Sequence, residues 1–214
     1  MRNERRNGAE GPRPNGGASM ILFYDTETTG LPDRFAPLNS ERQPRCVQLA
    51  AILTDNAGNE QSCINLVVHP DGWTIPAEAA AIHGITTEKA KAIGIREAVV
   101  AAAFYDLSRK ADLVVAHNEK FDRQIVSIMF ERLGRGWKLD GPAFDTMEAA
   151  APIVNLPPTP RMIAAGINKP KAPKLEECIQ HFFGEKLEGA HDALVDVRAC
   201  ARLFFHLRAE GAAS

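Results

Sequence analysis

The chain has 214 residues, 45% of them hydrophobic and 24% charged, and 27 acidic against 25 basic residues give a formal net charge of −2. That size suits one large domain or two small ones, and the composition is that of an ordinary soluble globular protein. It excludes a transmembrane helix, because no apolar run approaches the ~20 residues a bilayer requires; a basic nucleic-acid footprint must be local.

The four cysteines, Cys46, Cys63, Cys178 and Cys200, are scattered, with no C-x-x-C pair and no Cys/His zinc spacing. Each is expected as a small core hydrophobe. A Cys46–Cys63 bridge between neighbouring strands is conceivable, but a reducing compartment disfavours it. The N-terminal arginines lack the apolar core of a secretory signal, so cytoplasmic residence is the default.

In chain order, residues 1–19 are rich in Gly, Pro, Asn and Arg and are expected to form a disordered tail before a single domain over 20–210. Met20 directly precedes the first strand and is a second candidate translation start. Ile21–Tyr24 is an apolar run of strand length that ends in Asp25 and Glu27, with Gly30 closing the segment. Residues two apart on a strand share a face, so the two carboxylates project together. Leu31–Pro44 carries three prolines and reads as a surface loop. Cys46–Asp55 and Ser62–Val68 read as strands joined by a turn at Asn56–Asn59, hence antiparallel. Short helices are expected over Pro76–Ile82 and Thr86–Ile93, and a longer, well-buried one over Ile95–Ala111.

Asp112–Ala116 is the next strand, followed by a helix over Glu119–Leu133 with Phe121, Ile125, Ile128 and Met129 at helical spacing. Ala143–Thr146 reads as a last short strand before a helix through Ile153. Residues 156–174 hold five of the fourteen prolines, the four cations Arg161, Lys169, Lys171 and Lys174, and no acid; they read as a long irregular loop, either a contact for substrate backbone or a solvated connector. Lys174–Phe183 and Asp192–Leu207 close the chain as helices. Three strands followed by alternating helices and strands describe a mixed α/β sheet with helices against it.

The groups that carry chemistry sit at element ends. Asp25 and Glu27 end the first strand; two like charges there call for a cation, although a solvated acidic turn has the same pattern. Ala116–Asp122 follows a strand directly and puts Asp122 in the first helical turn, where it would also favour the helix dipole. His191–Asp196 places Asp192 as an N-cap, with Asp196 in the first or second turn of the last helix. Ile82–Thr86 reads as a turn with Thr86 capping the next helix.

Taken in order, Asp25-Thr-Glu27, His117-Asn-x-x-Phe-Asp122 and His191-Asp-Ala-x-x-Asp196 resemble the three motifs of the DEDDh (DnaQ-like) 3′-to-5′ exonuclease family. Ile82–Thr86 is similar to a segment of its bacterial proofreading members. The resemblance runs from about Ile21 to Leu207. It implies a ribonuclease H-like fold, a five-stranded mixed sheet with the second strand antiparallel, flanked by helices. It implies that Asp25, Glu27, Asp122 and Asp196 hold two divalent cations, Mg2+ or Mn2+, and that His191 is the general base. Thr26, Thr28, His83, Asn118 and Phe121 lie in or beside the motifs and are expected to hold the terminal nucleotide. Asp145 matches a less diagnostic acidic position, expected to give indirect support, and Glu119 and Lys120 fill variable slots.

The implied activity is hydrolysis of phosphodiesters at the 3′ ends of nucleic acid, with single-stranded DNA the expected substrate, to nucleoside 5′-monophosphates. Two cations about 4 Å apart can activate water and stabilise the leaving oxygen, and imidazole can take the proton near neutral pH. An RNA-directed exoribonuclease, like RNase T or oligoribonuclease, and a polymerase-associated proofreading subunit stay open as alternatives, as does a homodimer; no membrane partner is expected. The short stretch after the last helix speaks against a polymerase tether but not against a surface contact. Sugar selection depends on the shape around Thr28 and Phe121.

Overall fold

The computed structural model describes residues 19–211; the tail expected over 1–19 lies, Ser19 apart, outside them. Five strands form one sheet in the order β3-β2-β1-β4-β5. β1 (Met20–Thr28) is central, antiparallel to β2 (Cys46–Asp55) and parallel to β4 (Leu113–Ala116). β3 (Glu60–Val67) pairs antiparallel with β2, and β5 (Ala143–Asp145) pairs parallel with β4. β2 is thus the antiparallel second strand.

β1 is a continuous apolar run because helices cover both its faces. Leu22 and Tyr24 pack with Val100 and Phe104 of α3 (Glu97–Ser108) and with Ile125 and Met129 of α4 (Glu119–Leu133). Ile21 and Phe23 point the other way, against Val197, Cys200, Leu203 and Phe204 of α8 (Ala193–Ala209). α5 (Thr146–Val154) and α7 (Leu175–Phe183) join that second layer through Ala150 and Cys178. α1 (Ala77–His83) and α2 (Thr87–Ile93) close a smaller cluster through Ile75, Ile85 and Ala90 against Val47. No helix among the described residues is long and apolar enough to cross a membrane.

Several expected boundaries shift for identifiable reasons. α3 begins at Glu97 because Ile95 extends the sheet edge, its N–H donating to the Val67 carbonyl and its own carbonyl accepting from His69. Its buried residues lie on one face, and Val99 is 45% exposed. The segment 156–174 is not wholly irregular: Thr159 caps a short α6 (Pro160–Ala164), its Oγ1 accepting from Met162 N–H. Proline at the first helical position is compatible with a helix, since its missing N–H would have no partner there. The cysteines are free and no disulfide forms among them. Cys63 lies opposite Ile52 while Cys46 lies opposite Thr28. Cys63 is exposed on the edge strand rather than in the core.

Candidate active site

The carboxyl ends of β1, β4 and β5 and the N-termini of α4, α5 and α8 meet at one edge of the sheet. Alternation along β1 sends Asp25 and Glu27 to the α8 side and Thr26 to the α4 side. Thr26 fixes Asp122: both its backbone N–H (2.9 Å) and its hydroxyl (2.7 Å) donate to Asp122 Oδ1. Thr26, expected at the terminal nucleotide, thus has its hydroxyl on Asp122 and is only 5% exposed. The carboxylates of Asp25 and Glu27 accept no hydrogen bond from the described residues.

α4 enters the site through a turn in which Asn118 adopts a left-handed conformation, φ 76°, a few-per-cent choice for a residue other than glycine. Asp145 holds that turn. Its Oδ1 accepts from Asn118 N–H and its Oδ2 from Glu119 N–H, each at 3.0 Å, while Oδ1 also caps α5 through Met147 N–H. One carboxylate therefore braces two helix starts. The variable slot Glu119 is also engaged: it is buried, accepts from the Tyr24 hydroxyl at 3.0 Å, and pairs with Arg123 at 2.6 Å. Burial, with Asp122 and Glu119 nearby, raises the Tyr24 pKa and keeps the phenol a donor. The sequence signal for this network is a tyrosine at the inner end of a buried strand, whose hydroxyl needs a partner.

His117 was another unassigned motif residue. Its Nε2 lies 3.0 Å from the Pro173 carbonyl and so carries the hydrogen, and its Nδ1 meets the Thr146 hydroxyl at 2.9 Å. Burial lowers its pKa, which favours the neutral ring. His117 is thus a structural tie between β4, α5 and the segment 156–174.

The third group comes from α8. Asp192 caps the helix as expected, accepting from Leu194 N–H. His191 precedes it in a left-handed conformation, φ 68°. Its N–H donates to Asp196 Oδ2 at 3.0 Å, while Asp196 Oδ1 is buried without a partner among the described residues. Gln48 of β2 accepts from Ala193 N–H, which docks the helix start onto the sheet. As a result, ligand atoms of Glu27, His191 and Asp196 lie within 4.8 Å of one another.

The electrostatics agree with the geometry. Burial first, then Asp196, Asp122 and Asp192, push the Glu27 pKa up to about 8. Burial raises Asp122 to about 7 despite the two Thr26 donors. Asp25 is raised well above the carboxylate range by burial and by Asp122, Asp196 and Glu27, and burial raises Asp196. Four acids crowded with too few donors form a cation-type site. The residues fit a divalent metal: Asp196 Oδ1 is an orphaned buried acceptor, and Asp25 and Glu27 have no donor.

Of the remaining expected residues, Asn118 lines the cleft, while His83, Thr28 and Phe121 make contacts within the fold. Asn118, His191 and Asp196 line a cleft of about 310 Å³, with His117, Met147 and Leu187. His83 Nδ1 accepts from Ile85 N–H at 3.2 Å, so Nε2 carries the hydrogen; that atom is buried among the described residues and faces the Thr28 backbone. Burial lowers the His83 pKa. Thr28 bonds locally to Gly30, and Phe121 packs partly into the core under α4.

Asp145→Ala removes a brace without touching the acids. It is expected to lower kcat by about 10- to 100-fold, as loss of a group that orients metal ligands does, with KM for a short oligonucleotide little changed. Steady-state kinetics of the variant check this. A fall in kcat of less than twofold would show that the two helix starts hold without Asp145.

A ribonuclease H-like α/β sheet bearing convergent acids at the carboxyl ends of its parallel strands defines the class of protein. The particular family follows from the chain itself: residues 22–204 match the exonuclease family RNase_T, and the protein belongs to it. A DNA polymerase III subunit epsilon-like protein of Rhodobacter capsulatus is 29% identical over 190 residues, covering 87% of this chain and 23% of its own length. Among solved structures, an exonuclease I is 26% identical with a TM-score of 0.66, covering 89% of this chain and 41% of that one. Escherichia coli exonuclease I in complex with a dA16 oligonucleotide is 25% identical with a TM-score of 0.67, and the match again covers 89% and 41%. The chain thus spans about a quarter of the curated relative and about two fifths of the exonuclease I structures.

Proposed function

We propose that the protein is a divalent-cation-dependent 3′-to-5′ exonuclease that trims single-stranded DNA ends and releases nucleoside 5′-monophosphates. The observation that carries this is the convergence of Asp25, Glu27, Asp122 and Asp196, short of donors, beside His191. DNA is favoured over RNA because the related exonuclease I is bound to dA16 and dT13 oligonucleotides in its structures. A proofreading role beside a polymerase is the second reading, favoured by the epsilon-like relative. The four free thiols agree with a reducing, cytoplasmic setting.

In this mechanism Asp25, Glu27, Asp122 and Asp196 would hold two cations, Mg2+ or Mn2+, which when bound would supply activation of water and charge neutralisation at the phosphate. Thr26 keeps Asp122 turned into the site, and Asp145 keeps the start of α4 in register with β1. The left-handed backbone at His191, held by Asp196, presents the imidazole at the mouth of the cleft, where a ring nitrogen takes the proton of the attacking water. The Asn118 side chain, which lines the cleft, positions the terminal nucleotide, and His83, buried against the Thr28 backbone, steadies the end of β1 beside it, with Thr28 and Phe121 shaping its sugar pocket.

The test is digestion of matched 3′-labelled single-stranded DNA, duplex DNA and RNA with Mg2+ and with EDTA. Mg2+-dependent release of mononucleotides, fastest from single-stranded DNA, is expected; a 3′-blocked or circular strand resists. For His191→Gln, kcat should fall about 10²- to 10⁴-fold, the usual share of a general base, and the acid side of the pH profile should keep only the part set by metal binding to the four acids. A variant with the wild-type rate and profile would remove His191 from the mechanism.

A further inference from the structure

The catalytic cleft does not end at Asp196. Past Met147 and Ala172, which line both spaces, it opens into a second groove of about 490 Å³, within the usual range of a small-molecule site. Met147, Glu148, Ala151 and Pro152 of α5 form one wall, and Met162, Lys169 and Pro170 of the segment 156–174 help form the other. That segment is a built wall. His117 holds the Pro173 carbonyl, Leu156 pairs with Lys171 through a 3.0 Å backbone bond, and Lys171 Nζ bonds both oxygens of Glu177 at 2.6 and 2.8 Å.

Charge is distributed unevenly along this wall. Lys171 and Lys174 are paired with Glu177 and Glu176, whereas Lys169, at the groove, and Arg161, on α6, have no ion-pair partner among the described residues. The segment 156–174 holds no acid, and Glu148 on the facing wall is paired with Lys120 Nζ at 2.6 Å, so Lys169 is the unpaired charge of the groove among the described residues. Two methionines offer polarizable, adaptable surface suited to a flat aromatic ring. An unpaired cation beside them suits a phosphate. His83 and Thr28 lie at the β1 end of the site and α5 at the β5 side. A strand whose last nucleotide sits at the β1 end, by Thr28, therefore runs along the sheet edge toward this groove.

We infer that the groove holds the nucleotide on the 5′ side of the scissile phosphate, its base between Met147 and Met162 and its own 5′-phosphate at Lys169. This rests on the exonuclease reading above and adds a second subsite to it.

The test compares Lys169→Ala and Lys169→Glu with wild type on a single-stranded dT12 oligonucleotide and on the p-nitrophenyl ester of thymidine 5′-monophosphate, which lacks the 5′-side nucleotide. The oligonucleotide KM should rise about three- to tenfold for Lys169→Ala and further for Lys169→Glu. The slope of log KM against log salt should fall by about 0.7, the share of one single-stranded phosphate contact. The ester should be hydrolysed by both variants as by wild type. An unchanged oligonucleotide KM and salt slope in Lys169→Glu would overturn the inference, as would an equal rise in KM for the ester. If the wild type hydrolyses neither substrate with Mg2+, the exonuclease reading itself fails, a result distinct from either of those.

Discussion

Asp25→Asn is expected to abolish hydrolysis of a labelled oligonucleotide while raising the melting temperature of the metal-stripped protein at pH 8. The two effects share one cause. Asp25 sits at the end of the central strand, partly covered, facing Asp122, Asp196 and Glu27, with no donor from any described residue. A carboxylate there is useful only when a cation neutralises it. Its loss removes several kcal/mol of transition-state stabilisation, and at tenfold per ~1.4 kcal/mol the rate should drop by about 10³-fold or more. Without the cation, the same charge is a repulsion that the amide relieves, a trade of stability for function. Kinetics with Mg2+ and thermal melts in EDTA measure the two halves. A variant that hydrolyses normally would dismiss the acidic site as the catalytic centre; one that melts lower at pH 8 in EDTA would show that Asp25 makes a favourable contact.

The second large effect is on pH and metal together. The pKa of Glu27 stands at about 8 and that of Asp122 at about 7, with Asp25 and Asp196 also raised. In the unfolded chain these acids titrate near the ordinary value of about 4. Between about pH 4 and pH 8 the folded state therefore holds protons that the unfolded chain has released, so folding stability falls as pH rises. Metal-stripped protein should melt on the order of 10 °C lower at pH 8 than at pH 5, taking a few kcal/mol at about 2–4 °C each. Mg2+ should restore most of that at pH 8 and do little at pH 5, where the acids are protonated. Glu27→Gln should flatten the dependence. A metal-stripped protein that melts higher at pH 8 than at pH 5 would contradict the crowding of these acids.

Much of this arrangement is legible in the sequence because period and position suffice. Cys46–Asp55 and Glu119–Leu133 form with the expected bounds, the first from its unbroken apolar run, the second from the spacing of Phe121, Ile125 and Met129. Alternation along Ile21–Glu27 puts the two acids on one face without knowledge of the partner helix. The contributions hidden from sequence come from side chains that act at long separation. Asp145 and the start of α4 are 26 and 27 residues apart, and nothing local in Phe-Asp-Thr says that its carboxylate braces a second helix. Glu119 occupies a variable slot of the motif, and only the fold brings Tyr24 to it. Helix α6 was masked by prolines, although Thr159-Pro160 carries both an N-cap and a first-turn signal.

The hydrogen bonds that position the acids also limit how they can ligate. Thr26 takes up Asp122 Oδ1 with two donors, and His191 N–H takes up Asp196 Oδ2. Asp122 Oδ1 is saturated by its two donors, so Asp122 has one oxygen left for a ligand, while Asp196 Oδ2, with a single donor, keeps a lone pair beside the unpartnered Oδ1. Asp122 is thereby limited to one metal contact. Ca2+, which gathers 6–8 oxygen ligands, finds little of its shell here, whereas Mg2+ keeps several waters by preference and needs only a few carboxylate contacts. In the proposed mechanism, denticity at Asp122, set by the threonine beside it, would then favour the ion that keeps its waters.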